Sequence, residues 1–304
     1  MTADSRTASE AAVRACYSTW ASTYHRDYYA SDRAYPPVHQ RLVRDLIAAS
    51  GAKTLIDAGC GPASMLRSLA DLGADLYGFD LTPEMVAEAR AVMSGHAVPP
   101  DHIWEGSVTD PAAFRGPSTP DAFDAALLIG VLPHVSEADE PSVLRNLHGA
   151  LTPGGLVAVE ARNQLFGLFT ANRYTFEFLA DDLVRAGDLR RRSAIDPAVL
   201  DGVLDEMRRH VRMDLPPVRH GHQGEPGYDE VLSRTHNPFV LRQRLEAAGF
   251  RDLRVLFYHY HCLPPMFEAA MPDAYRALSV ELEDPHDWRG HFMASAFIVA
   301  GTKT

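Results

Sequence analysis

Apolar and polar residues follow two periods in turn along the chain, one typical of strands and the other of helices. Short apolar runs predict strands at residues 54–58, 75–79, 102–107, 123–129, 156–160, 253–261 and 294–301. Apolar residues three or four positions apart predict helices after the first, second and fourth strands, and a last helix at 237–248. This alternation predicts an α/β fold with a largely parallel sheet and right-handed crossovers.

The pattern changes on either side of this core. Residues 1–50 are predicted to form a helical N-terminal cap, and residues 163–236 contain no convincing strand. One helix in that second segment is capped by Asp196 and Pro197, and its apolar residues Val199, Leu200, Val203, Leu204 and Met207 line one face. We therefore expect a core of residues 51–162 and 237–304, with residues 163–236 as a largely helical lid.

Composition and charge narrow the possible partners. The net charge is −11, without a lysine- or arginine-rich block, so a nucleic-acid partner is not expected. No apolar run approaches the length of a membrane span, and the first fourteen residues lack a signal-peptide core. Cys16, Cys60 and Cys262 lie far apart, which predicts neither a disulfide framework nor a zinc site. A reducing, cytoplasmic location is expected.

The residues around the first strand point most directly to a ligand. Asp57, Gly59 and Gly61 form the sequence D-A-G-C-G-P with their neighbours, and Asp80 follows 23 residues after Asp57. Glycines let the backbone approach a nucleotide, and an acid at the end of the second strand accepts hydrogen bonds from ribose hydroxyls. Ser64 occupies the position of the third dinucleotide-motif glycine. This argues against an NAD(P)-linked oxidoreductase, which stays as the alternative.

These residues resemble the first motif of the class I S-adenosylmethionine-dependent methyltransferases. The resemblance is specific over residues 54–160 and includes the L-T-P-G-G turn at 151–155. It implies a Rossmann-like, doubly wound, seven-stranded sheet that ends in an antiparallel hairpin. It also implies S-adenosylmethionine as the cofactor and S-adenosylhomocysteine as the product.

The resemblance further implies which residues hold the cofactor. The N-terminal pattern that starts at Tyr17 is similar to the family's cofactor-covering helix, and the loop after the third strand would contact adenine, with Asp110 near its amino group. The cofactor-binding residues are expected to be Tyr17, Trp20, Tyr24, Asp57, Gly59, Gly61, Asp80, Leu81, Met85, Ser107, Val108 and Ile129.

The acceptor site is predicted from polar residues near strand ends. Histidine suits a general base because its pKa lies near neutrality. His134 follows the fourth strand, where the family places the transferred methyl group, and His259 and His261 alternate on one strand face. Substrate contacts are expected from Arg162, Asn163, Tyr174, His220, His222 and Tyr228. The H-x-H pairs are weak metal signals without acids or cysteines nearby, so no metal is expected.

Together these features predict direct in-line methyl transfer to an oxygen or nitrogen of a small molecule, such as a secondary metabolite or a sugar. A third hypothesis is a protein that binds S-adenosylmethionine without methylating anything. The sequence does not identify the acceptor molecule, and it is compatible with a homodimer.

Overall fold

The computed structural model describes residues 3–30, 35–191, 196–221 and 226–304. The strands within these residues are β1 (Thr54–Ala58), β2 (Asp75–Asp80), β3 (Ile103–Glu105), β4 (Phe123–Leu128), β5 (Leu151–Arg162), β6 (Phe250–Tyr260) and β7 (Ala294–Lys303). They form one sheet in the order β3-β2-β1-β4-β5-β7-β6, in which β1 to β5 pair in parallel. The C-terminal strands are antiparallel, so the predicted fold class is confirmed.

The helices flank the strands and connect them. They are α1 (Ala3–Ser18), α2 (Val38–Ser50), α3 (Ser64–Leu69), α4 (Pro83–Ser94), α5 (Glu140–Ala150), α6 (Gly167–Thr170), α7 (Arg173–Glu177), α8 (Ala186–Arg190), α9 (Pro197–Arg209), α10 (Pro238–Ala247), α11 (Pro272–Glu281) and α12 (Gly290–Met293). Two begin at the predicted caps: the side chain of Asp196 accepts from the N–H of Ala198, and that of Asn237 from the N–H of Phe239.

The central strands are buried and place a crevice at one edge of the sheet. Leu55 and Ile56 of β1 and Leu127 of β4 are fully buried, as expected for strands covered on both faces. The strand order reverses between β1 and β4, which lie side by side. In open α/β sheets ligands bind at the carboxyl ends of the strands, at such a reversal point.

The predicted turn at 151–155 is part of β5 instead. Leu151 pairs with Phe123 of β4, and the register shifts between Phe123 and Ala125 before the regular ladder begins. Gly154 has a φ of 79°, a left-handed conformation that glycine adopts without strain. The Pro-Gly-Gly sequence is therefore accommodated as an irregularity within the strand, because both of its ends stay paired with β4.

Helix α9 buries fewer residues than its sequence predicts. Leu200 and Leu204 are buried and Met207 packs against their cluster, as expected. Val199 is 62% exposed and Val203 is 53% exposed, so the predicted apolar face is only partly buried. Each valine precedes a buried leucine by one residue, about 100° around the helix, and the inward stripe is only wide enough for the leucines.

The chain divides into two compact units. The first comprises residues 1–162, 219–256 and 297–304, and the second comprises residues 163–218 and 257–296. Within the ranges that the structure describes, no helix combines the length and apolarity needed to cross a bilayer.

Candidate active site

A cavity of about 1100 Å³, counting its open mouth, lies in the first unit at the carboxyl ends of β1 to β4. The cofactor residues expected from the sequence that line it are Tyr17, Tyr24, Asp57, Gly59, Gly61, Asp80, Leu81, Met85, Ser107, Val108 and Ile129. His134 also lines the cavity, whereas Trp20 is not among the lining residues. The structure thus brings the motif residues of four loops to one space.

Asp80 ends β2 and is fixed by the backbone on both sides. Its Oδ2 accepts the N–H of Gly61 and its Oδ1 accepts the N–H of Thr82, each at 2.9 Å. Burial raises the pKa of the Asp80 carboxyl, and the two N–H groups oppose that rise. Because each carboxylate oxygen has a second lone pair, the oriented group keeps acceptor capacity toward the cavity.

The turn after β1 requires glycine at two positions. Gly59 has a φ of 83° and Gly61 a φ of 52°. A Cβ on Gly59 would also lie 2.3 Å from Cγ2 of Val131, which no side chain tolerates. The N–H groups of Gly59 and Cys60 both donate to the carbonyl of Phe79, at 2.8 and 2.9 Å. The turn is therefore held against β2, with its backbone facing the cavity.

Asp57 is a buried acid whose hydrogen bonding is incomplete. It is 1% exposed, and among the described residues its Oδ1 has no hydrogen-bond partner. Burial, with a smaller contribution from the charge of Asp80, raises the pKa of Asp57 to about 7. A buried acceptor without a donor is costly, so this wall of the cavity favours a ligand that carries a donor.

Helix α1 contributes residues that the sequence analysis missed. Glu10, Val13 and Tyr17 are three and four positions apart, and all three line the cavity. The signal was present: once Tyr17 is placed on the cavity face, helical spacing places the other two there as well. Oε1 of Glu10 accepts from the hydroxyls of Ser107, at 2.6 Å, and Thr109, at 2.9 Å.

Tyr17 and His134 form a hydrogen-bonded pair in the cavity wall. The Tyr17 hydroxyl lies 2.8 Å from Nε2 of His134, and Nδ1 of His134 lies 2.7 Å from the carbonyl of Leu232. Because a carbonyl can only accept, Nδ1 carries the proton, and Nε2 accepts from Tyr17. Burial lowers the pKa of His134 to about 4, so the ring is neutral near pH 7. Burial raises the pKa of Tyr17, which keeps its proton.

Aromatic and basic side chains surround this pair. The ring of Tyr228 stacks on Trp20 with centroids 5.7 Å apart, and it meets His134 edge-on at 6.0 Å. The guanidinium carbon of Arg162 lies 4.8 Å from the centroid of Tyr228, and Arg162 also donates to the Ser233 hydroxyl. Three residues that were predicted separately, Trp20, Arg162 and Tyr228, therefore meet beside His134.

A buried ion cluster lies beside the loop that carries His134. Glu140 is fully buried and binds Arg234 at 2.9 Å, Arg244 at 2.8 Å and His236 at 3.2 Å. Burial alone would raise the pKa of Glu140, yet hydrogen bonds from His236, Arg244 and Arg234 lower it to about 2. The N–H of Arg234 also donates to the carbonyl of Pro133 at 2.8 Å. The cluster thus ties the segment containing Leu232 to the loop of His134.

We expect Glu140→Gln to lower the free energy of unfolding by about 2 kcal/mol, since charged hydrogen bonds to two arginines are lost. Glu137→Gln is the matched control: Glu137 also pairs with Arg244, at 2.8 Å, but its side chain is 71% exposed. An exposed pair contributes about 0–1 kcal/mol. Urea unfolding near neutral pH measures both variants, and equal losses would contradict the prediction. The Glu140 contribution should shrink as the pH falls from about 4.5 toward 2.

Asn163 and Tyr174, two predicted substrate contacts, belong to the second unit. Asn163 is buried, and its amide nitrogen donates to main-chain carbonyls within residues 290–294, at 2.8 to 3.1 Å. Tyr174 is 39% exposed, with the guanidinium of Arg173 4.9 Å from its ring. Asn163 therefore uses its amide nitrogen inside the unit, and a substrate role for either residue stays a prediction.

His259 and His261 also lie in the second unit and approach each other as predicted from their alternation. Their rings stack with centroids 5.0 Å apart. Nδ1 of His261 lies 2.9 Å from the hydroxyl of Tyr275, and burial lowers the pKa of His261 to about 4. His259 has a φ of 62°, an uncommon conformation for a residue in a strand. Their catalytic role stays a prediction.

Two predicted substrate contacts, His220 and His222, are close together in the sequence. His220 is exposed in the first unit, with Nδ1 3.2 Å from Oε1 of Glu230, and His222 lies outside the described residues. Among the described residues, no group of three or more histidine, cysteine or acidic side chains is placed to hold a metal ion.

Comparison with known proteins finds a methyltransferase domain in this chain. Residues 56–157 match the family model described as a methyltransferase domain. Ubiquinone biosynthesis O-methyltransferase from Xanthomonas euvesicatoria pv. vesicatoria is 31% identical over 167 residues, which cover 55% of this chain and 66% of that protein. The enzyme of the same name from Xanthomonas axonopodis pv. citri is 32% identical over the same shares. The chain thus spans just under two thirds of the length of these curated relatives.

A solved structure shares the fold over nearly the whole chain. Magnesium protoporphyrin IX methyltransferase from Synechocystis PCC 6803, solved with bound SAH, aligns with a TM-score of 0.51. The alignment covers 97% of this chain and 100% of that one at 16% sequence identity, which shows likeness of fold alone. With the relatives, the family match shows that residues 56–157 carry a methyltransferase domain of the class I, S-adenosylmethionine-dependent type, with S-adenosylmethionine as its cofactor.

Proposed function

We propose that the protein transfers a methyl group from S-adenosylmethionine to a hydroxyl oxygen of a small, ring-bearing molecule. The observation that carries the proposal is the 2.8 Å hydrogen bond between the Tyr17 hydroxyl and Nε2 of His134, in the wall of the cavity that Asp80 also lines. When bound, the cofactor would supply a methyl group carried on a positively charged sulfur. A nucleophilic oxygen would attack the methyl carbon in line and displace the sulfur. The protein's residues must orient the two partners and remove one proton.

The described residues fit this cofactor. Asp80 presents oriented acceptors of the kind that two ribose hydroxyls need. Asp57 offers a buried acceptor that has no partner among the described residues, suited to the ammonium of the amino-acid tail. Gly59 and Gly61 leave the backbone free of side chains where that tail would pass. These three features support binding of the methionine half at the β1 turn and of the ribose at the end of β2.

The hydrogen bonds of Tyr17 and His134, the proton-transfer dyad, suggest how the proton leaves the acceptor. Tyr17 is placed to take the proton of the acceptor hydroxyl while it passes its own proton to Nε2 of His134. The carbonyl of Leu232 holds the tautomer that leaves Nε2 free to accept. After transfer, His134 is an imidazolium in a buried site beside Arg162, which favours rapid release of the proton. The acceptor oxygen then carries the methyl group, and the Tyr17–His134 pair returns to its neutral form once His134 has released the proton to solvent.

Two observations support an oxygen acceptor with a ring. The curated relatives are O-methyltransferases by name, and their names connect them with ubiquinone biosynthesis. The stacked rings of Trp20 and Tyr228 lie next to His134, where a planar acceptor would gain contact area. Nitrogen acceptors and a protein that binds the cofactor without methylating remain the competing hypotheses.

A methyl-transfer assay separates these hypotheses. The full chain is incubated with methyl-labelled S-adenosylmethionine and a panel of phenols, catechols, hydroxylated sugars and amines, and the label in each acceptor is counted. We expect label on the oxygen of a ring-bearing compound and none with Asp80→Asn. Label on nitrogen would overturn the oxygen assignment. Tight cofactor binding without transfer to any class of acceptor would favour the non-methylating hypothesis.

Activity is expected to survive EDTA. The described residues offer no cluster of metal-ligand spacing, and the proposed proton transfer uses only Tyr17 and His134. The check is the transfer rate before and after dialysis against EDTA, with added magnesium or zinc as the control. A loss of rate that either ion restores would refute the expectation.

A further inference from the structure

Three oxygen atoms meet in the cavity wall where α1 crosses the loop after β3. Oε1 of Glu10 accepts from Oγ of Ser107 at 2.6 Å and from Oγ1 of Thr109 at 2.9 Å. The two hydroxyl oxygens are themselves 2.8 Å apart. Each hydroxyl donates its single proton to Glu10, and the N–H of Thr109 donates to Oγ of Ser107 at 3.2 Å, so the contact between the two hydroxyl oxygens has no proton of its own. The cluster is therefore rich in acceptors and favours a ligand group that donates.

This cluster belongs to the part of the cavity next to Asp80. Asp80 pairs with Glu105 in the β2–β3 ladder, and Ser107 follows two residues later. Arg14, one turn after Glu10 on α1, forms an ion pair with Glu105 at 3.1 Å. A ligand whose ribose is bound by Asp80 would therefore direct its base toward the loop of Ser107 and the carboxylate of Glu10.

The acid expected near the amino group of adenine has another role. The side chain of Asp110 accepts the N–H of Ala112 at 2.9 Å and caps the short helical turn Pro111–Phe114. Asp110 is exposed and is not among the residues that line the cavity, whereas Glu10 is. The loop after β3 thus supplies hydroxyls to the cavity, and the carboxylate comes from α1.

We propose that Glu10 accepts a hydrogen bond from the exocyclic amino group of adenine and thereby selects an adenosyl over an inosyl ligand. An amino group donates to the acceptor cluster, whereas hypoxanthine has at that position a carbonyl oxygen, which the carboxylate repels. This inference rests on the cofactor of the proposed function and is independent of the acceptor and of the proton-transfer dyad.

Calorimetry with two ligands tests the assignment without any turnover. S-adenosylhomocysteine and its deaminated analogue S-inosylhomocysteine are titrated into the full chain. We expect the inosyl analogue to bind about 10- to 100-fold more weakly, the range for one hydrogen bond to a charged group. In Glu10→Ala the ratio of the two affinities should fall below about threefold, and Glu10→Gln should give an intermediate ratio because the amide keeps one acceptor.

Asp110→Ala is the matched control and should keep the wild-type ratio. The proposal is overturned if the wild-type protein binds both ligands equally, if Glu10→Ala keeps the full ratio, or if Asp110→Ala abolishes it. Circular dichroism measures whether α1 stays helical in the variants. If Glu10→Ala loses helix, the ratio of the two ligand affinities in Glu10→Gln tests the proposal instead. A chain that binds neither ligand would overturn the cofactor assignment as well. A chain that binds both with the expected ratio but methylates nothing would refute only the proposed reaction.

Discussion

Asp80→Ala is expected to lower the affinity for S-adenosylhomocysteine by about 100- to 10,000-fold. The carboxylate is positioned to accept two ribose hydroxyls, and each hydrogen bond to a charged group contributes about 1.5–3 kcal/mol. The orientation is set by the N–H groups of Gly61 and Thr82, so little rearrangement is needed on binding.

Calorimetry measures this effect, and Asp75→Ala provides the control from the same strand. Asp75 is exposed at the opposite end of β2, and its replacement should leave the affinity unchanged. Because Asp80 also holds two backbone N–H groups, Asp80→Asn is the second variant: it keeps the shape and loses the charge. Normal affinity in both Asp80 variants would show that the ribose is bound elsewhere.

Tyr17→Phe is expected to slow single-turnover methyl transfer by about 100- to 10,000-fold, the usual contribution of a positioned acid–base group. Cofactor affinity should change little, because the change removes one hydroxyl and keeps the ring. His134→Ala should cost a similar factor. If the two residues act as one relay, the double variant should be little slower than either single variant.

Tyr28→Phe serves as the control for this pair, since Tyr28 belongs to the same aromatic cluster but is 44% exposed.

The rate of methyl transfer by the wild-type protein should fall only at acidic pH. His134 works as the neutral base, and its pKa is lowered to about 4, so the rate should stay level from neutral pH down and fall only as the pH passes through about 4. A fall near pH 6.5 would point to a histidine with an ordinary pKa.

Site residues whose position depends only on their own strand or turn can be predicted from the sequence. Gly59, Gly61 and Asp80 are tied to a strand end or a tight turn, and their chemistry depends on that local position. His134 was predicted because it follows β4 directly. The parallel core was predictable for the same reason, since each strand and its following helix lie close together in sequence.

Features set by distant contacts could not be predicted in this way. The partner of Nδ1 of His134 lies 98 residues away in sequence. The exposure of Val199 depends on which neighbours pack against α9. Periodicity gives the direction of a side chain on its own element, but it does not say what that side chain will meet.

The atom that fixes the tautomer of His134 is a main-chain carbonyl, and this affects how the protein can diverge. A codon change at Leu232 alters the side chain and leaves the carbonyl in place. The segment is anchored by Arg234, so the orientation of the His134 ring does not depend on the identity of residue 232. Substitutions at this position should therefore leave the tautomer of His134 unchanged, and any effect that they have on activity would come from the side chain alone.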